Sequence, residues 1–511
     1  MQIVSYAPGG YRGTVVTVEV DCRTGIPGLE IVGLPASEVK EARERARVAI
    51  RNSGFAFPTK RILVNLAPAD VQKSGNGFDL AIAVAVLAAS DQLPTISPRV
   101  LILGELRLSG HVAPVRGVLA AVAEAADTGV RYAVVPQQNL AEAQAVPGAI
   151  VAGISTLSDI GQLCISIARG TLRAVAPAAC PTPTERGAPT TGPLSDFSEL
   201  HGCGPLRRVL EIAAAGGHHL LVVGPPGAGK SAAVNLYPTI QSRLTEREAI
   251  ETTRLHSLAG ELPSHVGVLT YRPFRSPHPQ SSPEGLLGGG NPVRPGDVAL
   301  AHHGTLFLDE GLEFRRPVLQ GLREPMERRQ IRLSRAGNRY WFPADFQLIM
   351  ATNPCPCGML GRQDRICLCG VREVERYWKR LGGPLIDRID LRLSVTAERL
   401  VTGGGETSGE IRSRVIRARA IAYRRNGDRT NAKLSGREAA DALGLPPSLQ
   451  ALLRQVTSAF GLSSRAIVSV LRLTRTIADL DGSENAGEEH LLEAVSYRRH
   501  GEDRPLWDPP G

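Results

Sequence analysis

One stretch limits the fold of this chain more than any other. The apolar run Leu220-Leu-Val-Val leads straight into Gly224-Pro225-Pro226-Gly227-Ala228-Gly229-Lys230-Ser231, and a helical stretch from Ala232 to Tyr237 follows. A strand that turns through a glycine-rich loop into a helix in the pattern G-x-x-x-x-G-K-S is a phosphate loop, and it requires an α/β sheet around it. Glycines let backbone amides turn inward on phosphates while the helix points its positive end at them. Lys230 then meets the β/γ oxygens and Ser231 holds Mg²⁺, so the expected ligand is ATP with Mg²⁺.

Two further strands end in polar groups suited to the same chemistry. Thr305-Leu-Phe-Leu delivers Asp309 and Glu310 at its C-terminal end, where parallel sheets collect their ligands. Asp309 is expected to support the Mg²⁺ and Glu310 to orient or deprotonate the attacking water; a solvated turn is the alternative. Phe346-Gln-Leu-Ile-Met-Ala-Thr ends in Asn353, placed to bond the γ-phosphate or the water, or else an ordinary strand-end amide. Between these strands, Gln330 to Arg335 and Arg339 to Phe342 flank Ala336-Gly-Asn338, the pattern of a hairpin that projects from the core.

Arg388, in Gly383-Pro-Leu-Ile-Asp387-Arg388, lies where an arginine reaches a neighbouring subunit's nucleotide, or forms a structural pair with an aspartate. Leu462-Ser-Ser-Arg465 opens a helix with a serine cap, and Arg465 either contacts phosphates from a lid or lies on a solvated face. Arg412, Arg414, Arg417, Arg419, Arg424 and Arg425 share one helix. They meet DNA phosphates or, since no aromatics interleave them, form a solvated face, the reading the sequence favours. Cys355-Pro-Cys357 and Cys367-Leu-Cys369 bring four soft ligands onto a short loop, enough for tetrahedral Zn²⁺; reduced thiols or an Fe–S cluster are the alternatives.

At 511 residues the chain is expected to hold about three units. Residues 1–170 alternate short apolar strands with helices: Thr14 to Val20, a helix from Ser37 to Asn52, Ile62 to Leu66, a helix from Phe78, Val100 to Leu103, a helix from Gly117, and Tyr132 to Val135. Residues 171–195, rich in Pro, Ala and Thr, read as a linker. The α/β phosphate-loop core occupies 196–402, and 403–511, opened by Gly403-Gly404-Gly405, reads as all-helical. The net charge of +9 is carried almost wholly by arginine and permits, without demanding, a phosphate-backbone partner. The longest apolar run, Leu80 to Ala89, is half a bilayer span, and the start of the chain has no export signal, so a cytoplasmic protein with no membrane span is expected.

The chain resembles the magnesium-chelatase-related AAA+ ATPases of the ComM/YifB type over nearly its whole length. The resemblance is carried by Gly28-Leu-Glu-Ile-Val-Gly-Leu-Pro35, Ser37 to Ala46, Asn52-Ser-Gly-Phe-Ala-Phe-Pro58, Val64-Asn-Leu-Ala-Pro-Ala-Asp70, Ala213-Ala-Ala-Gly-Gly217, Arg272-Pro-Phe-Arg275, Asn353-Pro-Cys-Pro-Cys-Gly358 and Thr476-Ile-Ala-Asp-Leu480. It implies a Lon-protease-like N-terminal fold, an AAA+ core with a presensor hairpin, an all-helical C-terminal lid and a hexameric ring. It further implies a DNA branch-migration helicase acting in recombination; a chelatase-type or chaperone-like ATPase remodelling a protein partner is the alternative. Where the Lon fold carries its serine and lysine, this chain has Gly77 and Leu119, so peptidase activity is not implied. The family's Pro-His-His reads Pro277-His278-Pro279 here, and Ala-Ala-Val-Asn follows Ser231 in place of the more usual Met-Leu-Ala-Arg.

Overall fold

The computed structural model describes residues 3–94, 99–172, 195–263, 266–335, 338–362, 364–395, 405–498 and 505. Nearly all of the expected linker, and Gly403 and Gly404, lie outside them.

A five-stranded parallel sheet holds the phosphate loop. Its order is Phe274–Arg275, Thr305–Leu308, Gln347–Thr352, Leu220–Val223, Leu391–Ser394. Every residue of the three central strands is buried. A parallel sheet covered on both faces needs continuous apolar strands of this kind. The order matters for chemistry: the strand that ends at Asn353 lies between the phosphate-loop strand and the strand that ends at Asp309. Three polar termini therefore meet along one sheet edge.

The N-terminal α/β region forms a seven-stranded mixed sheet in the order Gly28–Val32, Arg61–Ala67, Thr14–Arg23, Ile3–Ala7, Val100–Ile102, Tyr132–Pro136, Ile150–Ile154. The expected strands and the helix Ser37–Asn52 are present; Ile3–Ala7, Gly28–Val32 and Ile150–Ile154 are additional. Ser37–Asn52 buries Val39, Ala42, Ala46, Ala49 and Ile50, a stripe at helical spacing. The helix Asp79–Ala89 is buried on all sides as far as Leu87. Its first residue, Asp79, is a buried carboxylate held by Arg45 at 2.7 and 3.0 Å and by the backbone amide of Leu106.

This region and the phosphate-loop core share apolar packing. One cluster runs from Val4, Leu101 and Val135 through Leu255, Leu306 and Phe342 to Ile389. Across the contact, Arg254 donates to the Tyr11 carbonyl at 3.0 Å, pairs with Glu124 and lies 4.5 Å over the Tyr11 ring. Ser257 donates to Glu142, whose carboxyl burial pushes up despite bonds from Ser257, Asn139 and the Leu119 amide. The Arg-Pro-Phe-Arg stretch is structural: Arg272 bonds Glu248 and three carbonyls, and Arg275 bonds Asp297 and Glu261.

After Ser394 the described residues contain helices and no strand: Ser408–Asn426, Gly436–Leu443, Pro447–Phe460, Ser464–Leu480 and Glu488–Ser496. Thr407 with Glu410 and Ser435 with Glu438 form capping boxes, and Ser463 caps the fourth helix as expected. Among the described residues no helix is long and apolar enough to cross a membrane.

The arginines of Ser408–Asn426 correct the reading of that helix as one solvated face. Arg419 is buried and bonds the Ala214 carbonyl and Ser242; Arg414 bonds Glu211 and Glu406; Arg425 bonds Asp479. Three of the six tie the helix to its neighbours: Arg414 and Arg419 meet the buried Glu211 and a C-terminal carbonyl of Gly204–Gly216, and Arg425 meets Asp479 on Ser464–Leu480. Only Arg417 and Arg424 are exposed.

Asp479 anchors a buried polar network. It accepts from Arg425, Arg475 and Asn431, and Asn431 continues to Thr476, His218 and Asp390 at the foot of the core sheet. Asp479→Ala takes the carboxylate away from the buried Arg475 guanidinium and the half-buried Arg425. It is expected to cost about 3–5 kcal/mol, read as a lower denaturant midpoint, whereas Arg417→Ala is expected to change little.

Candidate nucleotide site and cysteine cluster

The phosphate loop, the acidic pair and Asn353 line one cavity of about 300 Å³ together with Ala228, Gly229 and Ser231. The loop conformation explains its composition. Gly227 and Gly229 have φ of 83° and 74°, and a Cβ at Gly229 would stand 3.1 Å from the Cys203 sulfur. Cys203 caps the preceding helix and packs under the loop, a placement that no sequence signal announces. Lys230 opens the helix Lys230–Asn235 with its side chain turned back under the loop: Nζ donates to the Gly224 and Pro225 carbonyls at 2.6 and 2.8 Å and to Asn353 Oδ1 at 3.4 Å. Burial pulls its pKa down to about 8, against the opposite pull of Asp309 and Glu310. The ammonium remains charged at neutral pH and is aimed at the place where phosphate oxygens would replace carbonyls.

Glu310 sits in the left-handed region at φ 49°, its amide bonded to Asp309 Oδ1 at 3.0 Å. That turn lets both adjacent carboxylates line the one cavity, Asp309 half-buried and Glu310 exposed. Adjacent acids on a regular strand would face opposite ways. The donor set fits the expected ligand, with an ammonium and loop amides for phosphate, and Ser231 and Asp309 as oxygen ligands for Mg²⁺.

Arg388 and Arg465 are elsewhere. Both line a separate cavity of about 480 Å³ with Glu327, Arg329, Asp387 and Lys433, and no phosphate-loop residue lines it. Arg388 pairs with Glu327 and the Pro384 carbonyl; Arg465, half exposed, lies 3.8 Å from both Glu327 and Asp387. Within one chain neither arginine is brought to the phosphate loop.

The hairpin forms as Gln330–Arg335 paired with Asn338–Pro343, but it is not free-standing. Tyr11 donates to the Trp341 carbonyl at 3.1 Å, their rings lie 5.1 Å apart, and Arg335 pairs with Glu284. Ile331 and Phe342 face inward, Arg332 and Arg339 face out, and Trp341, opposite Arg332, is partly exposed beside the Tyr11 ring.

Comparison with known proteins agrees with this geometry. Residues 196–402 match the family described as magnesium chelatase, subunit ChlI; residues 18–139 match subunit ChlI of Mg-chelatase; residues 405–498 match the ChlI C-terminal family. The chain is 38% identical to competence protein ComM of Haemophilus influenzae, covering 97% of each, and 40% identical to the uncharacterised protein YifB of Salmonella typhimurium, covering 96% and 95%. It belongs to the ComM/YifB-type, magnesium-chelatase-related family. A stretch of 145 residues, 27% of the chain, is also 26% identical to 18% of the Lon protease of Trichlorobacter lovleyi.

In this ComM/YifB-type chain, Gly77 lines a cleft of about 470 Å³ between the N-terminal sheet and Pro292–Pro295, while Leu119 is fully buried. The loop that leaves Asn353 carries the four cysteines. All four sulfurs lie within 4.8 Å of one another, with Cys355 3.4 Å from Cys357 and 3.7 Å from Cys367, and Cys357 3.6 Å from Cys367. Metal–sulfur bonds of about 2.3 Å in a tetrahedron put sulfurs about 3.8 Å apart, so the cluster fits one such ion. The amides of Leu360 and Met359 point at the Cys355 and Cys357 sulfurs at 3.4 Å, which favours thiolates. Gly358, at φ 74°, packs on Pro226: a Cβ there would come within 2.9 Å of that ring. The cysteine loop therefore braces the phosphate loop as well as Asn353.

Proposed function

We propose that this protein is an ATP-hydrolysing AAA+ motor that assembles as a hexameric ring in the cytoplasm and acts on branched or single-stranded DNA as a branch-migration helicase in recombination. In this reading residues 1–170 are a Lon-protease-like unit without peptidase activity, 196–402 the AAA+ core and 403–511 its lid. The observation that carries it is the division of the chemistry between two cavities. Lys230 grips the β/γ-phosphates. Ser231 and Asp309 hold Mg²⁺, which neutralises phosphate charge. The Glu310 carboxylate orients a water and accepts its proton, and Asn353 fixes the γ-phosphate and that water. Arg388 and Arg465, having no phosphate loop of their own to serve, act on a neighbour's nucleotide. The outward Arg332 and Arg339 of the hairpin, with the exposed part of Trp341 between them, support a single-stranded nucleic acid partner.

The test is a four-way DNA junction with a labelled strand. Strand release that needs ATP and is absent in Lys230→Ala supports the reading. A second reading, a chelatase-type or chaperone-like ATPase acting on a protein partner, is favoured by the three matches to chelatase subunit ChlI; it predicts no junction activity.

The cysteine cluster is assigned to one structural Zn²⁺. Purified protein should contain about one zinc per chain. Replacing Cys367 and Cys369 with Ser should remove it, lower the melting temperature and reduce ATP turnover, because Asn353 and Pro226 lose their brace. Metal-free wild type with full activity, together with an unchanged double variant, would refute the assignment.

A further inference from the structure

The short helix Val371–Trp378 starts two residues after Cys369, and none of the roles given so far involves it. Only Val374, Tyr377 and Trp378 of the helix are buried, so its inner face meets few neighbours. Those neighbours are the backbone on either side of Asn353 and the turn behind Glu310. The Trp378 indole N–H donates to the Pro354 carbonyl at 3.0 Å in the interior. The Tyr377 hydroxyl lies 3.5 Å from that of Thr352, and burial pushes its pKa up to about 12. Two residues past the helix, Arg380 crosses the Tyr377 ring at 5.7 Å and donates to the Leu312 carbonyl at 2.9 Å.

The turn that Arg380 meets sets the backbone of Glu310. Gly311–Glu313 is one helical turn whose Glu313 amide donates to the Glu310 carbonyl at 2.7 Å. Gly311 fits beneath Met350, on the strand that leads to Asn353: a Cβ there would stand 2.3 Å from Met350 Cγ. Glu310 has φ 49°, a conformation that a non-glycine residue keeps only where its surroundings hold it. The bonds from Trp378 and Arg380 end on carbonyls one residue beyond Asn353 and two beyond Glu310. Neither reaches Lys230 or Ser231.

We propose that Trp378 and Arg380 are positioning residues for ATP hydrolysis: Trp378 fixes Asn353 through the Pro354 carbonyl, and Arg380 fixes Glu310 through the Leu312 carbonyl, so that the two together set the spacing of carboxylate and amide around the attacking water. The inference rests on the ATPase reading above and adds that hydrolysis, rather than nucleotide binding, depends on these two side chains.

The experiment uses the full chain and sets ATP titration beside single-turnover hydrolysis at saturating ATP and Mg²⁺. Trp378→Phe keeps a buried ring and removes the donor; it should slow hydrolysis roughly tenfold or more while ATP affinity stays within about twofold of wild type. Arg380→Met should show the same split, and Arg380→Lys, which keeps a donor, should recover most of the rate. The Arg380 side chain is half exposed, so its variants keep the test open should Trp378→Phe misfold. Exposed Lys379, between the two, serves as control: Lys379→Met should match wild type. A loss of rate matched by an equal loss of affinity, or Arg380→Lys as slow as Arg380→Met, marks a structural role and overturns the assignment. Wild-type hydrolysis in folded Trp378→Phe and Arg380→Met also overturns it and leaves the ATPase reading standing. A wild-type chain that binds ATP and does not hydrolyse it contradicts the ATPase reading itself, and the positioning roles with it.

Discussion

Glu310→Gln should bind ATP normally and hydrolyse it at least ~100-fold more slowly, whereas Lys230→Ala should lose binding first. The asymmetry follows from where the two side chains lie. Lys230 is buried under the loop with its ammonium on the Gly224 and Pro225 carbonyls, so its removal takes away the one cation that lines this cavity among the described residues, the ammonium proposed to meet the β/γ oxygens. A hydrogen bond to a charged group contributes about 1.5–3 kcal/mol, roughly ten- to a hundredfold in affinity. Glu310 is exposed to the cavity and acts on Lys230 through charge alone, so Gln keeps the geometry, removes the ability to accept a proton and takes away only part of the support for the Lys230 ammonium. Nucleotide titration beside single-turnover hydrolysis separates the two effects. Full hydrolysis by Glu310→Gln would remove this residue from its role.

The second large effect concerns Arg388. Arg388→Ala alone and Lys230→Ala alone should each be nearly inactive, yet mixed assemblies of the two should recover part of the ATPase. The mixture contains interfaces where an intact phosphate loop meets an intact arginine. Recovery in mixtures is incompatible with a purely structural Arg388, since its bonds to Glu327 and the Pro384 carbonyl are made within one chain. No recovery at any ratio, with mixed assemblies verified, would assign Arg388 to that intrachain pair alone.

Much of the nucleotide site was legible because its chemistry is local in sequence. The phosphate loop, the acidic pair and Asn353 each end a buried apolar strand, and strand order alone brings them into one cavity. The hairpin was legible from period-two alternation around Ala336-Gly-Asn338, but not its attachment, because Tyr11 lies more than three hundred residues before Trp341. The three missed strands of the seven-stranded sheet have different causes. Ile3–Ala7 is buried on both faces and shows no alternation, Gly28–Val32 begins on a glycine, and Ile150–Ile154 is interrupted by Gly153. The arginines of Ser408–Asn426 misled for a related reason. A helix with charges on every side reads as solvated until its partners are known, and Glu211 and Asp479 are 203 and 54 residues away from the arginines they hold. The separation of Arg465 from its own phosphate loop was equally invisible, since it depends on how the C-terminal helices seat against the core.

In the proposed function, ATP hydrolysis completed by a neighbour's arginine drives work on DNA. Steady-state ATP turnover of the wild-type chain, measured with and without a forked DNA, tests it most directly. A severalfold rise with forked DNA is expected, absent in Glu310→Gln and smaller when the exposed Arg332 and Arg339 are replaced with Ala. Robust turnover that forked, single-stranded and duplex DNA all leave unchanged would contradict it.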